Sequence, residues 1–101
     1  MRIACTLSSA GLAAQAGRWE QLIVQALTGR TETADGLRMS FRPGTEVEEE
    51  LRRLVAVEAE CCSWASWAVE TDAGATVLDV RSAGPGIVAL HGMFLPAQAA
   101  R

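Results

Sequence analysis

LRMSFRPGTEVEEELRRLVAVEAECC, residues 37–62, joins a strand pattern to a helix pattern through Pro43-Gly44. In residues 37–42 apolar side chains alternate with polar ones, which is typical of a strand with one buried face. The apolar positions are Leu37, Met39 and Phe41. Because proline followed by glycine favours a turn, the stretch predicts a strand that turns directly into a helix.

The second part of this stretch has the period of an amphipathic helix. Thr45 and Glu48 have the spacing of a capping box, in which each side chain bonds a backbone N–H of the first turn. The apolar residues after them recur every three or four positions, as on the buried side of a helix: Val47, Leu51, Leu54 and Val55. We expect this helix to continue to about residue 62.

Upstream, the chain predicts a strand followed by another helix. Residues 2–7, RIACTL, form a short apolar run, and Ser8-Ser9 are typical helix N-cap residues. Helical spacing then relates Leu12, Ala16, Trp19, Leu22, Ile23, Ala26 and Leu27. Gly29 is the expected end of this helix. Residues 30–36 predict a polar connection, although its TET core could instead pair as a short strand with the strand at residues 37–42.

Downstream, two strand-like runs surround a turn signal. SWASWAVET (63–71) and ATVLDVRS (75–82) are joined by Asp72-Ala73-Gly74, which predicts a β-hairpin. After the turn at residues 84–86, IVALHGMFL is a short closing helix or an apolar tail that ends before Pro96.

These elements predict one α+β domain over residues 1–101. The order is β-α-β-α-β-β with a short C-terminal helix, so helices should cover one face of a mostly antiparallel or mixed sheet in a two-layer sandwich. This element order is similar to that of small sulfur-carrier domains of the TusA type. The similarity concerns architecture and not function.

Composition limits the range of partners. The net charge is −3, and the nine basic residues, all arginine, are scattered rather than clustered as on a nucleic-acid-binding surface. No segment approaches the roughly 18 consecutive apolar residues of a membrane span, and the apolar run near the start is too short for a signal peptide. We expect a cytoplasmic protein that binds neither nucleic acid nor a membrane.

The candidate site is E-x-x-C-C near the end of the second helix. Continuing the apolar stripe by the helical period leads to Glu58, Cys61 and Cys62, which are neighbours at three- and four-residue spacing. A carboxylate on the buried side is costly unless it is paired, protonated or bound to a cation. The pattern therefore indicates a candidate ligand set for an ion.

The third cysteine and the one histidine extend this hypothesis. Cys5 lies in the predicted first strand, against which a helix of a two-layer sandwich packs, so it could approach the pair. Three thiolates would select a thiophilic ion such as Cu(I), Zn(II), Hg(II) or As(III). His91 could add a nitrogen ligand, although a structural histidine is the stronger interpretation. The spacing matches no zinc finger.

A purely structural interpretation stands beside this one. Free cysteine is often buried as a small apolar residue, which suits Cys5 in particular. Trp64 and Trp67 are expected to pack in the core or to line a pocket wall.

Four stretches together resemble a small, little-characterised bacterial family: ACTLSSAGLAAQAGRWEQL, DGLRMSFR, EEELRRLVAVEAECCSWASWAVE and VLDVRSAGPG. Its members share an E-x-x-C-C-x-aromatic motif followed by a hairpin, and an early cysteine that Cys5 matches. Similar segments are attached to MerR-type metal-responsive regulators. Ser63 stands where the family pattern has proline. The resemblance implies the handling of heavy metals or metalloids.

These residues support three hypotheses of function. The first is binding of a thiophilic ion by Cys5, Cys61, Cys62 and Glu58, for metal handling or sensing. The second is a thiol-dependent enzyme for metal–carbon bond cleavage or sulfur transfer, with a cysteine nucleophile and Glu58 as proton carrier. The third is a small ligand-binding or dimerisation domain, such as a homodimer, whose cysteines only pack.

Overall fold

The alternating stretch at residues 37–42 forms the second strand of a four-stranded sheet. The computed structural model describes residues 9–94 of the chain, and the predicted strand at residues 2–7 lies outside them. The described elements, in chain order, are α1 (Ser9–Ala26), β1 (Leu27–Thr33), β2 (Gly36–Phe41), α2 (Thr45–Cys61), β3 (Ser66–Asp72), β4 (Ala75–Arg81) and α3 (Pro85–His91). This α-β-β-α-β-β-α order confirms the predicted α+β class.

The sheet has the strand order β1-β2-β4-β3, and each of these neighbouring pairs is antiparallel. Leu37 pairs with Val80 and Met39 with Leu78, so the apolar positions of the two central strands share one face. All four side chains are fully buried. This register places the sheet's apolar face under the helices and explains why β2 and β4 are the most apolar strands.

The opposite face of the sheet is polar. Arg38, which alternates with the buried positions of β2, lies 3.6 Å from carboxylate oxygens of both Asp72 and Asp79. Arg81 lies 3.2 Å from Asp79. Since these ion pairs are partly exposed, the sheet has one face covered by helices and one face in solvent, as in a two-layer sandwich.

The core joins α1 and α2 to the sheet. It contains Trp19, Leu22, Ile23 and Ala26 of α1, the predicted stripe of α2 (Val47, Leu51, Leu54 and Val55), the apolar face of β2 and β4, and Leu90 of α3. The stripe of α2 is therefore confirmed. On α1, however, Ala16 is exposed and Gln15 is buried, so the predicted apolar stripe was wrong at this position.

Two local predictions need correction. The first helix ends at Ala26 rather than Gly29, because Leu27–Thr33 pairs with β2 as an edge strand. The TET segment thus pairs with β2, which was the alternative interpretation. The second helix begins at Thr45 as predicted, but no side chain caps it. Glu48 accepts a hydrogen bond from Arg52 instead of forming the capping box.

The predicted hairpin is confirmed. Of the two interpretations of the C-terminal stretch, the structure shows the helix, which begins at Pro85 within the predicted turn. β3 and β4 are joined by Ala73-Gly74, which have φ values of 52° and 85°. Two consecutive positive φ angles are typical of the turns that match the twist of a two-residue hairpin, and glycine accommodates this conformation without strain. In residues 9–94, no helix combines the length and apolar character needed to cross a bilayer.

Candidate metal centre

The last turn of α2 and Cys62, the residue that follows the helix, together provide three potential ligands. Glu58, Cys61 and Cys62 are all buried, and one donor atom from each lies within 4.8 Å of the others. Glu58 is one turn before the cysteines, where helical geometry makes residues three and four apart neighbours. The E-x-x-C-C prediction is confirmed as a spatial cluster close enough to hold a metal ion.

Cys62 is a buried, free thiol that faces Glu58. Its Sγ donates a hydrogen bond to Oε1 of Glu58 at 3.4 Å. Burial away from water, the negative charge of Glu58 and this hydrogen bond together raise the pKa of Cys62 to about 11. At neutral pH Cys62 is therefore a protonated thiol, and its S–H group donates a hydrogen bond to the carboxylate.

Two side chains of α1 hold the other oxygen of Glu58. Nε2 of Gln15 donates to Oε2 at 2.8 Å, and the indole Nε1 of Trp19 donates to the same oxygen at 2.9 Å. Gln15 also donates to the carbonyl of Leu54 at 3.1 Å, which ties it to the backbone of α2. Oε2 is thus occupied by two neutral donors, and Oε1 is the oxygen that faces the cysteines.

Glu58 has no positively charged partner among residues 9–94. The ion pairs of this part of the chain involve other carboxylates, such as Glu50 and Glu32. A buried carboxylate is normally compensated by a cation, because hydrogen bonds from neutral groups offset only part of the loss of hydration. The site therefore lacks a compensating charge within this region.

The two cysteines differ in state. Their sulfur atoms are 3.5 Å apart, but Cys61 is disulfide-bonded in this structure whereas Cys62 is free. A disulfide sulfur is not a thiolate ligand, so two thiol ligands are present only when Cys61 is reduced. Cys5, the third predicted ligand, lies outside the described residues.

Aromatic side chains surround the cluster. Trp67 donates its indole N–H to the backbone carbonyl of Cys62 at 3.3 Å. Phe94 packs against both Trp19 and Trp67, with ring centroids 4.5 and 6.3 Å away. Trp64 and Trp67 are partly buried against the core, as predicted.

His91 does not belong to the site. Its Nε2 lies 2.9 Å from the carbonyl oxygen of Thr33, and its Nδ1 lies 3.9 Å from Glu32, both in β1. The structural interpretation of this histidine is therefore favoured over the ligand interpretation.

Sequence reasoning missed the two residues that position Glu58. Gln15 and Trp19 are four apart on α1, and they contact a residue about forty positions away. The available signal was a polar residue one turn before a tryptophan on the buried side of a helix. Comparison of the chain with protein-family models, curated proteins and solved structures found no match. The functional conclusion therefore depends on the geometry of the site.

Proposed function

We propose that this protein binds a thiophilic metal or metalloid ion through Glu58, Cys61 and Cys62, in metal handling or sensing. The observation that carries the proposal is a buried cluster of one carboxylate and two sulfur atoms, with donor atoms within 4.8 Å of one another. The carboxylate of Glu58 has no cationic partner in the described part of the chain. An ion would supply the missing positive charge.

The chemistry of the donors selects the class of ion. Thiolate sulfur prefers soft and borderline ions such as Zn(II), Cu(I), Hg(II) and As(III) over hard ions such as Mg(II) and Ca(II). Because Cys62 is protonated at neutral pH, ion binding must displace its proton, and binding must also follow reduction of Cys61. Cys5 remains a predicted additional ligand.

The resemblance to the E-x-x-C-C family supports the same assignment. The residues that carry it, Glu58, Cys61 and Cys62, are the ones that form the buried cluster. Segments similar to the family's are attached to metal-responsive regulators, which is why we include sensing in the proposal.

Titration of the reduced protein tests the proposal directly. The protein is treated with a phosphine reductant, freed of metal and titrated separately with Zn(II), As(III), Hg(II) and Cu(I), and complexes are counted by native mass spectrometry. We expect a one-to-one complex with at least one of these ions, and loss of that complex in Cys62→Ser. Glu60→Gln, an exposed change on the same turn, is the matched control. Absence of a stoichiometric complex with all four ions would falsify the proposal.

A thiol-dependent enzyme is the second candidate, because Glu58 accepts a hydrogen bond from Cys62 and could carry a proton. The raised pKa of Cys62 disfavours this role, since the thiolate is the nucleophile and only a very small fraction is ionised at pH 7. The alkylation rate with iodoacetamide distinguishes the two functions. Ion binding predicts slower alkylation of Cys62 than of an unfolded cysteine peptide at pH 7, and an activated nucleophile predicts faster alkylation.

A further inference from the structure

We infer that the site selects ions that hold two thiolates at a bent angle and also accept a carboxylate oxygen, as Zn(II) does, over ions that prefer two thiolates in a line, as Hg(II) and Cu(I) do. This inference rests on the proposed function and specifies its ligand. It is carried by the separations of the donor atoms and by the contacts that hold Glu58.

The sulfur–sulfur separation defines the angle at the ion. With metal–sulfur bonds of about 2.3 Å, a linear arrangement needs sulfur atoms about 4.6 Å apart, and a tetrahedral one needs about 3.8 Å. The sulfur atoms of Cys61 and Cys62 are 3.5 Å apart, which corresponds to an angle of about 100° for bonds of that length. This separation is measured with Cys61 in its disulfide-bonded state. If the two side chains keep these positions when Cys61 is reduced, the pair is close to the bent geometry and about 1 Å short of the linear one.

The carboxylate has a matching separation. A tetrahedral ion with an oxygen ligand at about 2.0 Å and a sulfur ligand at about 2.3 Å places these two atoms about 3.5 Å apart. Oε1 of Glu58 lies 3.4 Å from Sγ of Cys62. One ion can thus replace the thiol proton between them while the two side chains keep almost the same positions.

The surrounding contacts resist the linear geometry. Gln15 and Trp19 hold Oε2, so that Oε1 stays directed at Cys62. Gln15 is fixed in turn by its bond to the Leu54 carbonyl. Opening the sulfur pair by a movement of Cys62 would break its contact with Oε1 of Glu58 and leave the buried carboxylate without a thiol partner. Gln15 is accordingly a positioning residue of the proposed site.

The first test uses the unmodified protein with Co(II) as a spectroscopic substitute for Zn(II). The reduced protein should give the intense visible d–d absorption of a tetrahedral site together with a sulfur-to-cobalt charge-transfer band. Zn(II) should abolish both signals by displacement. Weak d–d bands of a six-coordinate ion would overturn the inference, and so would the absence of Co(II) and Zn(II) binding while Hg(II) binds. In that last case the proposed function would still stand.

The second test measures how variants change the affinities for Zn(II) and Hg(II) in competition with a chelator. Hg(II) binds thiolates more tightly than Zn(II) in any site, so the readout is the change caused by each substitution. We expect Glu58→Gln to weaken Zn(II) binding by at least about 10–100-fold, because the loss of a group that only orients a ligand already costs that much. Hg(II) binding should change by less than about threefold, because a linear ion needs only the sulfur atoms.

Gln15→Met is the corresponding test of positioning, because methionine keeps the length of the side chain and removes the donor. It should weaken Zn(II) binding about tenfold and lower the ratio of Zn(II) to Hg(II) affinity. Gln21→Met, on the exposed side of the same helix, is the control. Equal losses for both ions in folded Glu58→Gln and Gln15→Met would mean that the variants act by loosening the site, and would overturn the inference. Failure of the unmodified protein to bind any ion would instead overturn the proposed function.

Discussion

Glu50 and Glu58 lie two turns apart on α2, and both contact α1, yet their environments are opposite. Glu50 is at the solvent edge, where Nη2 of Arg18 lies 2.9 Å and Nη1 of Arg53 lies 2.6 Å from its Oε1. Glu58 is buried, and its three donors are the neutral groups of Gln15, Trp19 and Cys62. The carboxylate with access to water has two cationic partners, and the one without water has none in residues 9–94.

Under the proposed function, this difference assigns stability to the first part of α2 and ion binding to its end. An ion pair at the surface contributes little, because water already solvates both charges. A buried carboxylate without a cation lowers stability relative to an apolar residue of the same size. The N-terminal part of α2 therefore packs as an ordinary core helix, while its last turn carries an unfavourable arrangement that an ion would relieve.

The largest expected effect comes from a substitution in the first part of α2, which packs in the core. Leu51 is fully buried, so Leu51→Ala should lower the free energy of unfolding by about 2–5 kcal/mol, through lost apolar contact and the cavity left behind. Urea denaturation measures this change, with Arg52→Ala as an exposed control on the same turn. The affinity of the folded Leu51→Ala protein for the ion, measured without urea, should equal that of the unmodified protein. A large loss of affinity in the folded variant would contradict the division of α2 into two roles.

A smaller effect is expected from removing one donor to Glu58. Trp19→Phe keeps the aromatic contact with Phe94 but removes the indole N–H that bonds Oε2. It should lower the free energy of unfolding of the metal-free protein by about 1–3 kcal/mol, because a buried charged acceptor loses a partner. Trp67→Phe is the matched control, since its indole bonds a backbone carbonyl rather than a carboxylate. If both variants lost the same free energy of unfolding, the hydrogen bond to the Glu58 carboxylate would be worth no more than one to a backbone carbonyl, which would contradict this argument.

The raised pKa of Cys62, which lies beside Glu58, predicts how the stability of the protein depends on pH. The pKa of Cys62 is about 11 in the folded protein, raised from 9.0 mainly by burial. Below pH 9 both folded and unfolded chains keep the proton, and between pH 9 and 11 the unfolded chain releases it first. Stability should therefore fall as pH rises through this window. Urea midpoints of the metal-free protein, kept in the state in which Cys61 is disulfide-bonded, should show a steeper alkaline decline than those of Cys62→Ala, and parallel curves would refute the raised pKa.

The smallest effect is expected at the solvent edge. Arg53→Ala removes an i,i+3 partner of Glu50 and should change the free energy of unfolding by less than about 0.5 kcal/mol. Thermal unfolding at low and high salt checks this, because screening should remove even that difference. A loss of more than about 1 kcal/mol in the free energy of unfolding that persists at high salt would contradict this prediction. It would show that the ion pair between Arg53 and Glu50 contributes more than an exposed pair does.

The parts of the fold that could be predicted are those with a strong local period. Alternation over residues 37–42 corresponds to β2, and the spacing of Leu51 and Leu54 identified the buried side of α2. β1 was harder to predict because it is a polar edge strand, with Gly29, Arg30 and Thr31 at its centre. Its identity depends on hydrogen bonds to β2, which no local pattern encodes.

The candidate site divides in the same way. Glu58, Cys61 and Cys62 could be grouped from the sequence, because one helical turn makes them neighbours wherever the helix lies. Gln15 and Trp19 could not be assigned to Glu58, because their contact requires α1 to pack against α2 at one particular position. The sequence pattern placed Ala16 on the buried side of α1, whereas Gln15 lies there. This error has the same cause, because the position of α1 against α2 decides which of the two side chains is buried.

Local chain geometry alone thus determined that an acid and two adjacent sulfurs occupy one turn, since backbone hydrogen bonds place every fourth side chain on the same side of a helix. Helix packing decided which carboxylate oxygen is held by α1 and which faces the thiol. It also decided that the charge is enclosed without a cation in the described part of the chain. These features depend on contacts between residues far apart in sequence, whose energies exist only after the chain has folded.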